Sequence, residues 1–273
     1  MQAEGGAPPD PSSPGAGEGA RIRGRRRVHC AYHKCLTSYF RRVLERTYGP
    51  IWGAPGRYRH FDSRLDAFER EVEGCTVASL NNHALDLDRF EDVRVSRFVR
   101  DPRDLVVSGY FYHRRGAEPW CEVASPTERD WSVVNGVVPG ALAPGQSFAA
   151  YLREASLEDG LLAELEFRRR HLDSMRQWPV ADSRVLVLRY EEVVGDERAA
   201  FDRIFRFFGL SSWARRIAVH QAGRLRAARR RGRSAHIRDP RSGQWREVFP
   251  PEVTRRFARL HGDLLERLGY PDR

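Results

Sequence analysis

Short apolar runs alternate along this chain with longer stretches in which apolar residues return every three or four positions. VHCAY (28–32), CTVASL (75–80), VRVSRFV (93–99) and RVLVLRY (184–190) are runs of the first kind, and they predict buried strands. From Leu36, the positions Leu36, Tyr39, Phe40, Val43 and Leu44 keep helical spacing. Asp101 and Pro102 open a second helix over 101–113, since a proline in the first turn loses no hydrogen bond. Residues 147–178 read as helical. Gly195 and Asp196 precede an amphipathic helix that Gly209 stops, and 251–270 form a last amphipathic helix. Strands that alternate with helices predict a three-layer α/β domain, a central mostly parallel sheet flanked by helices. One such domain is expected over 28–273.

In sheets of this kind ligands sit at the carboxyl ends of the strands. HKCLTS follows the first strand and RDPRD the third. A strand feeding a helix through a loop presents free backbone N–H groups and the positive end of the helix dipole, where phosphate binds readily. Lys34 is the only lysine of a chain with 47 Lys+Arg, and it stands in this loop. With Thr37 and Ser38 as hydroxyl donors the loop reads as a phosphate cradle. The pattern GxxxxGK[ST] is absent and no obvious partner set for Mg²⁺ is found, which counts against ATP chemistry; no metal is expected. Arg100 leaves the third strand with forked donors suited to a second phosphate, and Ser108 adds a hydroxyl two helical turns on. The structural alternative pairs Arg100 or Arg103 with Asp101 or Asp104.

A net charge of +10 suggests a nucleic-acid partner until it is located. RIRGRRR (21–27) and GRLRAARRRGR (223–233) hold eleven arginines and no acid, and the rest is close to neutral. Two such patches attract anions of many kinds, and no specific nucleic acid is expected. A polyanion-binding protein that uses these patches is the alternative to an enzyme. Residues 1–27 are Pro/Gly/Ser-rich and arginine-rich and read as a disordered tail. No export signal and no membrane span are read, and Cys30, Cys35, Cys75 and Cys121 lack CxxC spacing. A cytoplasmic protein with reduced thiols is expected.

The motifs in order resemble those of the sulfotransferases that use 3′-phosphoadenosine 5′-phosphosulfate (PAPS). HKCLTSYF is similar to that family's 5′-phosphosulfate loop, with Leu36 where the family usually has glycine. FVRDPRDLVVSGYFYH is similar to its 3′-phosphate motif. VLVLRYEEVVGDERAAFDRIFRFFGL and SGQWREVFPPEVTRRFARLHGDLLERLGY are similar to its later strand–helix and C-terminal segments. The resemblance implies a P-loop-NTPase-like architecture, PAPS as donor and 3′,5′-ADP (PAP) as product. It gives Lys34, Thr37 and Ser38 to the 5′-phosphosulfate, and Arg100 and Ser108 to the 3′-phosphate. Tyr39 and Tyr190 go to the adenine, and Arg238, with Arg241 nearby, to the C-terminal phosphate contact.

Sulfuryl transfer expels a phosphate, so a cation aimed at the bridging oxygen is favoured, and Lys34 fits that role. A hydroxyl acceptor must also lose a proton, and histidine is the usual agent. The resemblance implies His83 as that base. His113 is the next candidate and Glu118 an acidic one, while His33 is expected to be structural. Residues 113–153 are rich in turn formers and read as a wall or lid on the acceptor side. A small metabolite, glycoside, phenol or lipid head group is expected as acceptor.

Overall fold

The computed structural model describes residues 21–226 and 241–270. Strand β1 (Ile22–Ala31) leads through a five-residue loop into helix α1 (Thr37–Thr47), and β2 (Tyr58–His60), α2 (Leu65–Glu71) and β3 (Val77–Asn81) follow. Strand β4 (Phe90–Val99) runs into α3 (Pro102–His113). Next come α4 (Phe148–Glu154), α5 (Leu157–Phe167), α6 (Arg169–Gln177), β5 (Val185–Arg189), the short α7 (Tyr190–Val193) and α8 (Glu197–Phe208). The last helices described are α9 (Ser212–Arg224), α10 (Trp245–Val248) and α11 (Pro251–Leu268).

The five strands form one sheet in the order β2-β3-β1-β4-β5, and every pairing is parallel. Alternate residues of β1 enter different cores. Val28 and Cys30 join Phe61, Phe68, Leu80 and Trp178, whereas Ala31 joins Phe40, Phe201 and Phe205. The sheet is therefore covered on both faces, and each fully buried aromatic ring contributes roughly 2–3 kcal/mol. The chain leaves β1 to build β3 and β2 on one side, then crosses to β4 and β5 on the other. Its strand order switches at β1, so the loops after β1, β3 and β4 meet at one end of the sheet.

Three elements differ from the sequence expectation. β1 begins at Ile22, inside the arginine run assigned to the tail, and its first residues pair with β4 as Ile22↔Phe90 and Arg25↔Asp92. The charges there have distant partners: Arg25 and Arg27 reach Asp92, and the Arg23 amide donates to Glu73. The helical stretch 147–178 is three helices: Ser147 and Ser156 cap the first two by accepting from the amides of Ala150 and Asp159, and the third starts after Arg168 with no side-chain cap. β2 was not anticipated; its YRH carries no apolar period. The other junctions follow the sequence, with Asp101 and Asp196 as N-caps and a left-handed Gly209 closing α8. All four cysteines are free and buried. Among the described residues no helix is long and apolar enough to cross a membrane.

Candidate active site

The loop between β1 and α1 is built on backbone conformations that side chains usually avoid. Lys34 has φ 74° and Leu36 φ 59°. A left-handed residue without glycine costs roughly 1–2 kcal/mol, and here the surroundings fix it. The His33 amide donates to Asn82 Oδ1 at 2.7 Å, the Cys35 amide to the Tyr32 carbonyl at 2.8 Å, and Leu36 packs partly buried against the core. Leu36 provides no side-chain cap for α1, which leaves the first amides of that helix directed at the loop. The glycine of the resembling motif is thus replaced without loss of the left-handed turn.

This loop forms one wall of a cavity of about 660 Å³ at the carboxyl ends of the strands. Lys34, Thr37, Ser38 and Tyr39 line it, as do Arg100 and Ser108 from the β4–α3 region and Tyr190 after β5. Seven residues assigned from the sequence therefore share one cavity. Arg103 forms the structural ion pair, its Nη2 2.8 Å from Asp101 Oδ2. Arg100 is left to the cavity: no carboxylate among the described residues pairs with it. Its Nη1 donates to the Lys34 carbonyl at 3.3 Å, and its guanidinium lies 4.2 Å from the centre of the Tyr190 ring. Arg100 Nε is buried without a hydrogen-bond partner. Lys34 Nζ lies over the Tyr112 ring, 3.3 Å from its centre. Burial, then Arg168, Arg100 and Arg115, lowers the Lys34 ammonium from its ordinary value to about 7, against a smaller opposing pull from Glu118.

Asp104, 1% exposed, holds the C-terminal segment against α3 by accepting from the amides of Gly243 at 2.6 Å and Trp245 at 3.1 Å. Arg103 stacks on Trp245 at 3.7 Å. These contacts bring Gln244 to the cavity, a position not singled out in the sequence. Arg241 is off the wall; its guanidinium approaches Glu247 and its carbonyl faces Arg100 Nη2 at 3.5 Å. Arg238 lies outside the described residues, as does most of the second arginine patch. Tyr39 lines the cavity while its hydroxyl donates to the Ala222 carbonyl.

The candidate bases are arranged differently from the expectation. His83 does not line the cavity: its Nε2 donates to the Ser63 carbonyl at 2.8 Å, and burial lowers its pKa. Ser63 and Asn82, its neighbours in space and sequence, form the wall there. His113 is completely buried and pairs with Glu164. Glu118 reaches the cavity, accepting from the Tyr112 hydroxyl at 2.5 Å. Two other rings face the cavity, His33 and His60. Both nitrogens of His60 are engaged, by Ser79 Oγ and by Asp62. The segment after His113 supplies the opposite wall through Glu118, Trp120, Val133 and Val134. Its Trp131 is fully buried against Phe148 and Phe167, so the wall is a packed structure.

A cation-bearing loop after one strand, an arginine with no carboxylate partner among the described residues after the next and a more apolar wall opposite make a cavity suited to an anionic ligand. Residues 90–269 match the Sulfotransferase domain family, and the chain belongs to it. The match starts at β4, so the Lys34 loop precedes it. Mouse sulfotransferase SULT7A1, solved as a complex with PAP, is similar at 19% identity and TM-score 0.46, over 91% of this chain and 85% of that one. Retinol dehydratase in complex with androsterone and inactive cofactor PAP is similar at 16% identity and TM-score 0.39, over 88% of this chain and 80% of that one. A sulfotransferase from Alicyclobacillus acidocaldarius is similar at 14% identity and TM-score 0.36, over 90% of this chain and 94% of that one. No curated protein matches the chain in sequence.

Proposed function

We propose that this protein moves a sulfuryl group from PAPS to a hydroxyl or amine of a small-molecule acceptor by in-line displacement, leaving 3′,5′-ADP. The observation that carries this reading is the convergence of Lys34 and Arg100. They come from the ends of two adjacent strands, Arg100 bonds the carbonyl of Lys34, and neither charge has a carboxylate partner among the described residues. A buried arginine and a half-buried lysine without carboxylate partners among the described residues suit a ligand that brings its own negative charge. Lys34, Thr37 and Ser38 would hold the phosphosulfate, and Arg100 with Ser108 the 3′-phosphate. Tyr190, against which Arg100 stacks, and Tyr39 would flank the base. Lys34 as a compact ammonium can follow charge onto the bridging oxygen. Arg238 and Arg241 remain candidates for the C-terminal phosphate contact.

Phe111, Tyr112, Trp120, Val133 and Val134 give the remaining wall an apolar character that suits a phenol or hydrophobic alcohol. In this reading 28–273 work as one domain, with the 113–153 segment as the acceptor wall, and the protein acts in the cytoplasm.

Thermal unfolding with 3′,5′-ADP, against 5′-AMP and ATP–Mg²⁺, tests the donor assignment. A ligand at 100 times its Kd adds roughly 2.7 kcal/mol of stability. A rise with 3′,5′-ADP alone supports the reading; equal shifts with all three, falling steeply with salt, would point to polyanion binding by the arginine patches.

A further inference from the structure

Behind the cavity wall lies a line of groups that phosphate binding does not use. Glu164 of α5, fully buried, accepts at Oε2 from His113 Nδ1 at 2.6 Å. The other nitrogen of His113 lies 3.1 Å from Nε2 of His33, and the two rings stack with centres 5.2 Å apart and 12° between planes. His33 lines the cavity beside Lys34. Its Nδ1 has no hydrogen-bond partner among the described residues. Glu164 is fixed in turn by Arg168, whose Nε donates to Oε1 at 2.8 Å and whose Nη1 donates to the His33 carbonyl at 3.1 Å.

The protons on this line are set by its ends. A carboxylate accepts only, so His113 carries its proton on Nδ1 and its lone pair on Nε2. The contact between the rings is then a hydrogen bond only if His33 donates through Nε2. That leaves the lone pair of neutral His33 on Nδ1, the nitrogen without a partner. Sterically the arrangement depends on Gly109 of α3, since a Cβ there would stand 1.9 Å from Glu164 Oε1 and 2.3 Å from Arg168 Nη2. A helix interior tolerates glycine at a cost of about 1 kcal/mol, and here glycine lets α5 bring its carboxylate to His113.

We propose that His33 is the base that deprotonates the acceptor, and that His113 and Glu164 are positioning residues forming a buried relay that receives the proton. The proposal rests on the PAPS reading. As the acceptor oxygen forms its bond to sulfur, its O–H proton passes to His33 Nδ1. The bond from sulfur to the 5′-phosphate oxygen breaks, and its electron pair stays on that oxygen, where Lys34 meets the charge. The Nε2 proton of His33 moves to His113 Nε2, so the positive charge rests on an imidazolium against Glu164. The groups facing His33 are Lys34 from its own loop, His113 from α3, Arg168 at the α5–α6 junction and His171 from α6. Burial first, then these groups, hold His33 well below its ordinary value, which keeps the ring neutral, with one nitrogen unprotonated, in the resting enzyme.

The test combines ¹H–¹⁵N long-range NMR of histidine-labelled protein loaded with 3′,5′-ADP and the release of 3′,5′-ADP from PAPS with 2-naphthol as acceptor. His33 is expected as the Nε2–H tautomer and His113 as the Nδ1–H tautomer, with the His113 assignment disturbed in Glu164→Gln. His33→Gln is expected to slow release by roughly 10²-fold or more while its unfolding midpoint still rises with 3′,5′-ADP, and His83→Gln by less than about fivefold. Nδ1–H on His33, or His33→Gln within about fivefold of wild type, would overturn the relay while leaving the donor site intact. If wild type releases nothing with 2-naphthol, the tautomers alone decide. A wild-type chain that 3′,5′-ADP does not stabilise would instead remove the PAPS reading and the relay with it.

Discussion

Lys34 Nζ rests 3.3 Å above the centre of the Tyr112 ring, on the last turn of the helix that Arg100 precedes. A cation over an aromatic face is held by the ring quadrupole, worth about 2 kcal/mol when water is excluded. The same burial and the neighbouring arginines bring Lys34 down to about 7, so above that pH the amine is largely neutral. A phosphosulfate or the phosphates of 3′,5′-ADP would raise it again. Binding 3′,5′-ADP at pH 8 is therefore expected to take up close to one proton, read as a dependence of the calorimetric heat on buffer ionisation enthalpy. Lys34→Ala should abolish that uptake. For the free protein the sign follows from linkage: a lysine with a lowered folded pKa costs stability below pH 7, and the cost is relieved as pH rises from 7 toward the ordinary value of 10.5.

Arg100 is clamped between the Tyr190 ring and the Lys34 carbonyl, with its Nε unpartnered. Arg100→Ala should weaken 3′,5′-ADP by roughly 1.5–3 kcal/mol, the range for a hydrogen bond to a charged group, while 5′-AMP changes little. Paired titrations of the two nucleotides decide it. Equal losses would mean that Arg100 serves the loop and not a 3′-phosphate.

Much of this was legible in the chain, and what was not has a physical reason. Strand β4 lies inside the sheet and is buried on both faces over Val95–Val99, so it stands out as an apolar run; β5 is an edge strand with Val187 and Arg189 exposed, and its run of Val and Leu marks it all the same. Arginine hid the start of β1: Arg21, Arg23 and Arg25 are exposed while Arg27 is buried, and a register shift between Ile22 and Arg25 breaks the period of two that would have marked a strand. Their acidic partners lie far along the chain, and no local pattern reveals them. The same holds for the relay. His33, His113 and Glu164 sit on three elements, and Glu164 reads in sequence as an ordinary polar position of α5. The expected base His83 has its Nε2 engaged by the carbonyl of Ser63, a contact that the β2–α2 loop creates and that no local pattern reveals.

Asp104 connects two halves of the site. It is buried and accepts two amides from the turn that delivers Gln244. Asp104→Ala leaves those donors without a partner, at roughly 1–3 kcal/mol each where water cannot reach them. A fall in unfolding midpoint and a loss of 3′,5′-ADP affinity are expected together. Since the carboxylate itself touches no cavity, affinity lost without stability would contradict the anchoring role.

Leu36 supports a last prediction, because two effects oppose each other there. Its φ of 59° favours glycine by about 1–2 kcal/mol, while its side chain packs, partly buried, on the core. Leu36→Gly relieves the strain and loses the contact, so its stability should stay within about 1 kcal/mol of wild type and 3′,5′-ADP should still bind. Leu36→Val keeps part of the contact but places a β-branched residue in the left-handed region, where it is a genuine outlier. It should be the less stable of the two variants, by about 1–2 kcal/mol in urea unfolding. If valine equals or exceeds glycine, packing and not backbone geometry fixes this loop.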